Sequence, residues 1–249
     1  MGSLKGKSAV VVGATSGIGR ATLLALAAEG ARVCGVARSR ERLDRIAREA
    51  PGEVTALVGD ASSAELAERL VRETDPDLIV VSVGERPRMG PVDEQTWDSF
   101  SAVWNNDVKA TFLIGQQAIR RPLRAGSLVV VLASGAAIAG SPLSGGYAGA
   151  KRMQWFLAGY LQGISDRRRL GIRFVALCPK QLIVGTTIGE SAASAYADLA
   201  GISEEKFMER FPTPLAPEGV ADAIVKIARG EAGLEGTAFA LTGRGLEPL

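Results

Sequence analysis

Seven short apolar runs punctuate the chain, at residues 8–12, 32–37, 54–59, 78–81, 128–133, 172–177 and 237–241. They are nearly continuous in apolar residues rather than alternating, the pattern of strands covered on both faces. Between them apolar residues return at helical spacing. One such stretch ends at Gly30, a long one covers about residues 95–120, another opens near Tyr147, and a last one covers about 218–228. Ser62 stands where the helix after the third strand would take its N-cap. Arg167, Arg168 and Arg169 fall at the end of the Tyr147 helix, where cations suit the helix dipole and read as a solvated cap. Strand and helix alternate with no repeat, linker or break in composition. This predicts one α/β domain over residues 1–249 with a doubly wound, mostly parallel sheet. Right-handed crossovers then bring Gly13, Arg38, Asp60, Gly84, Ser134 and Pro179 to a single carboxyl edge, where such sheets bind ligands.

Composition narrows the chemistry more than the fold. A chain of 249 residues with 47% hydrophobic content can bury a sizeable core. Its 29 Lys and Arg against 27 Asp and Glu, without a long basic run, give no electrostatic case for nucleic acid. Mean hydropathy is +0.14. No stretch reads as a leader or an 18-residue apolar span, so the expectation is a cytoplasmic protein with no membrane partner. Cys34 and Cys178 lie inside apolar strand patterns and read as buried thiols rather than a disulfide or a metal site. The chain contains no His. That removes Ser–His–Asp hydrolysis and His-based metal chemistry, and leaves Tyr, Lys, Ser and carboxylates to carry protons.

Three constellations carry candidate chemistry. The first runs from Ser134, at the end of the fifth apolar run, to Tyr147 and Lys151 at the start of a helix. Residues four apart share a helix face, so the phenol and the ammonium are one turn from each other. A cation near a phenol favours the phenolate, which suits a proton carrier at a carbonyl or alcohol oxygen. Ser134 is placed to hydrogen-bond the same oxygen. The second is Gly13-Ala14-Thr15-Ser16-Gly17-Ile18-Gly19, a glycine-rich turn between strand and helix that brings backbone N–H groups to a pyrophosphate. The third is the end of the second strand. There an NAD site usually carries an acid for the ribose 2′-hydroxyl, and this chain has Ala37 followed by Arg38. Arg38 reads as a partner for a 2′-phosphate, whereas Arg40 and Arg42 read as the exposed face of the next helix.

Together these residues resemble the short-chain dehydrogenase/reductase family over nearly the whole chain. The likeness rests on the 13–19 turn, Asp60 after the third strand, Ser134 with Tyr147 and Lys151, and Pro179 after the sixth strand. It implies a Rossmann-like, seven-stranded sheet of order 3-2-1-4-5-6-7 and a bound NADP(H). The implied cofactor contacts are Gly13, Thr15, Ser16, Gly17, Ile18, Gly19, Arg38, Ser39, Asp60, Ala61, Gly84, Tyr147, Lys151 and Pro179, with Thr186 or Thr187 at the nicotinamide amide. It further implies that Tyr147 is the general acid/base, that Lys151 tunes it and holds the ribose, and that Ser134 orients the substrate oxygen. The expected activity is reduction of a ketone, or oxidation of a secondary alcohol. The rival class is a cofactor-binding sensor or structural protein without turnover.

The chain departs from the family at Val81-Ser82-Val83-Gly84, at Lys180 after Pro179, and at Asp107, where relatives carry Asn. Asp107 is expected in the catalytic set near Lys151, raising the pH optimum of alcohol oxidation, with Asn106 as the rival for that place. Residues 183–211 are expected to form a substrate lid. Tyr196, Phe207, Met208 and Phe211 would either line an apolar pocket or be the inner faces of two small helices. Arg86, Arg88 and Lys180 read as solvated loop charges, with attraction of an anionic substrate as the alternative. The resemblance also implies a homodimer or homotetramer through the 95–120 and Tyr147 helices, using Trp104, Phe112, Ile119, Trp155, Phe156 and Leu161.

Overall fold

In a computed structural model, residues 4–231 and 233–249 are described. Each predicted apolar run becomes a strand: β1 (Ser8–Val12), β2 (Arg32–Ala37), β3 (Val54–Val58), β4 (Leu78–Val81), β5 (Leu128–Leu132), β6 (Arg173–Pro179) and β7 (Ala238–Thr242). An eighth strand, β8 (Gly245–Pro248), was not expected. The sheet order is β3-β2-β1-β4-β5-β6-β7-β8, parallel except for the antiparallel β7–β8 pair. Only Leu246 in β8 is apolar apart from its terminal Pro, and the strand lies largely exposed at the sheet edge. A hydrophobic pattern therefore had no means of marking it.

The helices are α1 (Gly17–Ala28), α2 (Arg40–Glu49), α3 (Ala64–Thr74), α4 (Trp97–Val103), α5 (Lys109–Arg120), α6 (Ala136–Ala139), α7 (Tyr147–Arg168), α8 (Thr187–Ala200), α9 (Glu204–Met208) and α10 (Pro217–Ala228). The predicted 95–120 helix is thus interrupted: Trp104–Val108 winds as a π-helix between α4 and α5. Ser63, not Ser62, caps α3, because Ser62 is drawn back by Asp60, which accepts from both its N–H and its hydroxyl. Arg169 ends α7 in a left-handed conformation, and Arg167 and Arg168 occupy its last turn, as expected.

Alternate residues of each strand serve two separate cores. Val11, Leu78 and Val80 pack with Leu23 and Leu26 of α1, Leu43 of α2, and Ile224 and Ile227 of α10. Val10, Val12, Ile79 and Val81 face Leu70 of α3, Ile114 of α5 and Leu161 of α7. Full burial of such a side chain contributes about 1.5–3 kcal/mol. Covering both faces of the sheet leaves its ends as the free surface, and the carboxyl end is where the connecting loops open.

The same packing corrects the expected subunit face. Ile119 and Leu161 are buried in the second core and are not available to a partner, and Trp155 is half-buried against it. Leu161 sits so close over Gly115 that a Cβ there would collide with it. The large apolar side chains left exposed on these helices are Trp97, Trp104, Phe112, Phe156 and Tyr160.

Candidate active site

A cavity of about 960 Å³ runs along the carboxyl edge of the sheet. Its lining includes Gly13, Thr15, Ser16, Gly17, Ile18, Arg38, Ser39, Asp60, Ala61, Gly84, Ser134, Tyr147, Lys151, Pro179, Thr186 and Thr187. Two of the residues expected at the site do not line it. Gly19 lies beneath the glycine turn, where an added Cβ would run into the Gly13 carbonyl. Its role is to let α1 approach the strand end, a close-packing role rather than a ligand contact. Asp107 is fully buried behind Lys151 and reaches the cavity only through it.

The turn itself is held open for an anion. Gly13 has φ +86°, a conformation that favours glycine, and a Cβ there would stand 2.8 Å from the Ser82 carbonyl oxygen. The helices α2, α3, α4, α8 and α9 are each capped by the side chain of Ser39, Ser63, Thr96, Thr186 and Ser203 respectively. Ser16 occupies the same position before α1 but makes no such bond, and the first turn carries no acid. The positive end of α1 thus carries no side-chain cap, as is also true of α6, α7 and α10. At the next strand ends, the bonds from Ser62 hold the Asp60 carboxyl below its ordinary value, with a smaller push from Arg38. Arg40 pairs with Asp44 at 3.7 Å, as a helix-face residue should. Arg42 is exposed on the first turn of α2, as expected, and it also lines the cavity.

The proton-carrying group is assembled from four elements. Tyr147 opens α7, and the Lys151 ammonium lies 5.5 Å from the centre of its ring. Lys151 is almost wholly buried; its Nζ is 2.9 Å from Asp107 Oδ2 and donates to the Leu132 carbonyl of β5 at 3.4 Å. Burial alone would favour neutral amine, but the Asp107 carboxylate, and then Tyr147, outweigh it and hold Lys151 above the ordinary lysine value. Asp107 is fixed in turn: its Oδ1 accepts from the Glu85 backbone N–H at 2.8 Å and from Asn106 Nδ2 at 3.1 Å. The π-helical turn bears both residues, turning Asp107 to the lysine and Asn106 to the cavity. Ser134, at the end of β5, accepts from the Ala136 N–H at 3.2 Å, which anchors its hydroxyl at the mouth of α6. Cys178 lies under this group, its thiol pushed up to about 11 by burial, and so stays neutral and inert.

Beyond Tyr147 the walls come from the segment predicted as a lid. Tyr196, Phe207 and Phe211 line the cavity, and Met208 does not. Tyr196 stacks on Phe207 with centroids 6.1 Å apart, and Phe211 meets Phe207 edge-on at 6.3 Å. The Tyr196 hydroxyl lies 2.6 Å from Ser141 Oγ, tying α8 to the loop before α7. Arg86 and Lys180 also line this end, whereas Arg88 is turned away to the Glu94 carbonyl. Met89, Ser141, Ser144 and Arg210 line it as well and were not expected. Arg210 falls inside the segment expected to form the lid, although it was not singled out there; nothing marked Met89, Ser141 or Ser144.

A single sheet edge that joins a glycine turn to a Ser–Tyr–Lys group defines a dinucleotide-dependent oxidoreductase. The family model for short chain dehydrogenase matches residues 7–196, and the chain belongs to that family. L-xylulose reductase of Mus musculus is 35% identical over 113 residues, which is 45% of this chain and 46% of that protein. The match thus spans about half the length of that relative. A longer match, over 181 residues at 27% identity, covers 70% of this chain and 74% of the NADPH-dependent pterin aldehyde reductase of Arabidopsis thaliana. The crystal structure of levodione reductase superposes with a TM-score of 0.83 at 24% identity, covering 98% of each chain, which shows the shared fold. Among the described residues no helix is long and apolar enough to cross a membrane.

Proposed function

We propose that the protein is an NADPH-dependent carbonyl reductase, which in reverse oxidises a secondary alcohol. The observation that carries this reading is Tyr147 beside Lys151, which the buried Asp107 holds from behind, in the same cavity as the glycine turn. The residues present fit a phosphorylated dinucleotide. The N–H groups of Gly17 and Ile18 would hold the pyrophosphate, Asp60 and Ala61 the adenine end, and Arg38, joined by Arg42, the 2′-phosphate. Gly84, Pro179 and Thr186 or Thr187 would flank the nicotinamide. When bound, the nicotinamide supplies the hydride to the carbonyl carbon, or accepts it from the alcohol.

The chain's residues do the rest. Ser134 hydrogen-bonds the carbonyl oxygen and orients it. Tyr147 donates its hydroxyl proton to that oxygen as the hydride adds to carbon, and takes a proton again from solvent. Lys151 stabilises the phenolate left behind, and Asp107 keeps the ammonium in place. Helices α8 and α9 act as the lid, excluding water from the reacting carbon. The test is loss of NADPH absorbance across a broad carbonyl panel. Stoichiometric NADPH binding with no oxidation of any panel member would overturn the reading in favour of a sensor.

The exposed face of Trp104, Phe112, Phe156 and Tyr160 supports self-association into a dimer or tetramer. Light scattering of the double variant Phe112→Glu/Phe156→Glu should give the monomer mass. A wild type that is monomeric at every concentration would refute the assembly.

A further inference from the structure

The substrate end of the cavity is positively charged in a way that the reaction does not require. Lys180 just after β6, Arg86 from the loop after β4, and Arg210 just beyond α9, all three exposed to solvent, line the cavity. None of the three has an ion-pair partner or a side-chain hydrogen bond among the described residues, although Arg210 lies 4.8 Å over the Phe207 ring. Elsewhere the chain pairs many of its cations, as in Arg20–Glu49, Arg45–Glu41, Arg69–Glu73 and Arg229–Glu29. Glu85 is the acidic side chain lining this end. The same cavity is lined by half-buried Tyr196 and Phe211, which pack against the buried Phe207 ring. Low-dielectric walls focus the field of such cations and raise the local concentration of an anion.

Resting on the reductase reading above, we infer that the substrate is a keto acid: a flat or cyclic apolar body with the reacting carbonyl at Ser134 and Tyr147 and a carboxylate toward Arg86, Lys180 and Arg210. The ring lies against Tyr196 and Phe211, and the carboxylate pairs with these three exposed cations. Discrimination between an acid and its neutral ester then arises at the far end of the substrate, away from the proton carrier.

The experiment compares aryl and cyclic keto acids with their methyl esters, pair by pair. Two quantities are read: kcat/KM with NADPH, and affinity for the NADP⁺-loaded protein by calorimetry. The acid is expected to be favoured at low salt, with the preference shrinking as ionic strength rises. Arg210→Ala and Lys180→Ala should each lower the acid-to-ester ratio by about fivefold, whereas Arg244→Ala, on the β7–β8 turn outside the cavity, should leave it unchanged. Equal kcat/KM for acid and ester throughout would overturn the inference while leaving the reductase reading intact. So would variants that weaken NADPH binding and spare the ratio, since the cations would then serve cofactor phosphates. If no carbonyl is reduced, the reductase reading fails, and the calorimetric ratio alone still decides whether this end selects a carboxylate.

Discussion

At the end of the cavity formed by β1, β2 and β3 the walls are largely backbone: the turn at Gly13–Gly19, the open N-terminus of α1, and the loop that Ser62 ties to Asp60. At the other end they are side chains, those of Tyr196, Phe207, Arg210 and Phe211 from one segment and Met89 from the distant loop after β4. The first end binds by geometry that few residues can supply. The second binds by shape and charge that many residues could supply. The backbone end should therefore be intolerant of single substitutions, and the side-chain end should be graded. Tyr147 stands at the junction, one turn from the buried Lys151.

The largest effect is expected at that junction. Tyr147→Phe removes the proton carrier, and turnover should fall by about 10²–10⁴-fold with NADPH affinity nearly unchanged; near-normal rates would mean that the two ends meet elsewhere. Next comes Arg38→Ala, which removes a charge-assisted contact of about 1.5–3 kcal/mol and should erase roughly ten- to a hundredfold of preference for NADPH over NADH in paired Kd measurements. Equal Kd values in the unmodified protein would refute that assignment.

Gly19→Ala probes the backbone end without touching the ligand. The added methyl must displace the Gly13 carbonyl, so the melting temperature should drop, by an overpacking cost of about 1–3 kcal/mol, and NADPH affinity should drop with it. A Phe211→Leu control at the other end should leave both nearly unchanged. If the two variants behaved alike, the contrast between the two ends would be lost.

The smallest and most diagnostic effect is a shift in pH profile. Because Asp107 holds Lys151 above the ordinary lysine value, the pair stabilises the fold fully below that ordinary value. The contribution is lost only as pH rises through the raised one. In Asp107→Asn the ammonium is held less firmly and loses its proton at lower pH, so the alkaline limb of activity moves down. That downward move of the alkaline limb should show in pH–rate curves. An unmoved profile, with a large loss from Asn106→Ala instead, would transfer the role to Asn106.

The pattern of apolar runs determined the parallel sheet and the order of elements around it, because a strand buried on both faces needs an uninterrupted apolar stretch, and β1 to β7 each have one. It also determined the crevice, since the carboxyl ends of such strands must open on one side, and spacing put Tyr147 and Lys151 on one helix face. Tertiary structure alone decided the rest. The register of Val108-Lys109-Ala110 favoured Asp107 over Asn106 for the place beside Lys151, but it could not give the direction of either side chain. The π-helical turn, fixed by packing of α4 and α5 against α7, turned one carboxylate into the core and one amide into the cavity. Arg42, Met89 and Arg210 joined the cavity because the fold brings the segments after β2, after β4 and after α9 to one edge. Ile119 and Leu161 left the expected subunit face because Gly115 let α5 and α7 close over them. A sequence records which residues can be buried and at what period; which buried face meets which partner is set only when the whole sheet and its helices pack at once.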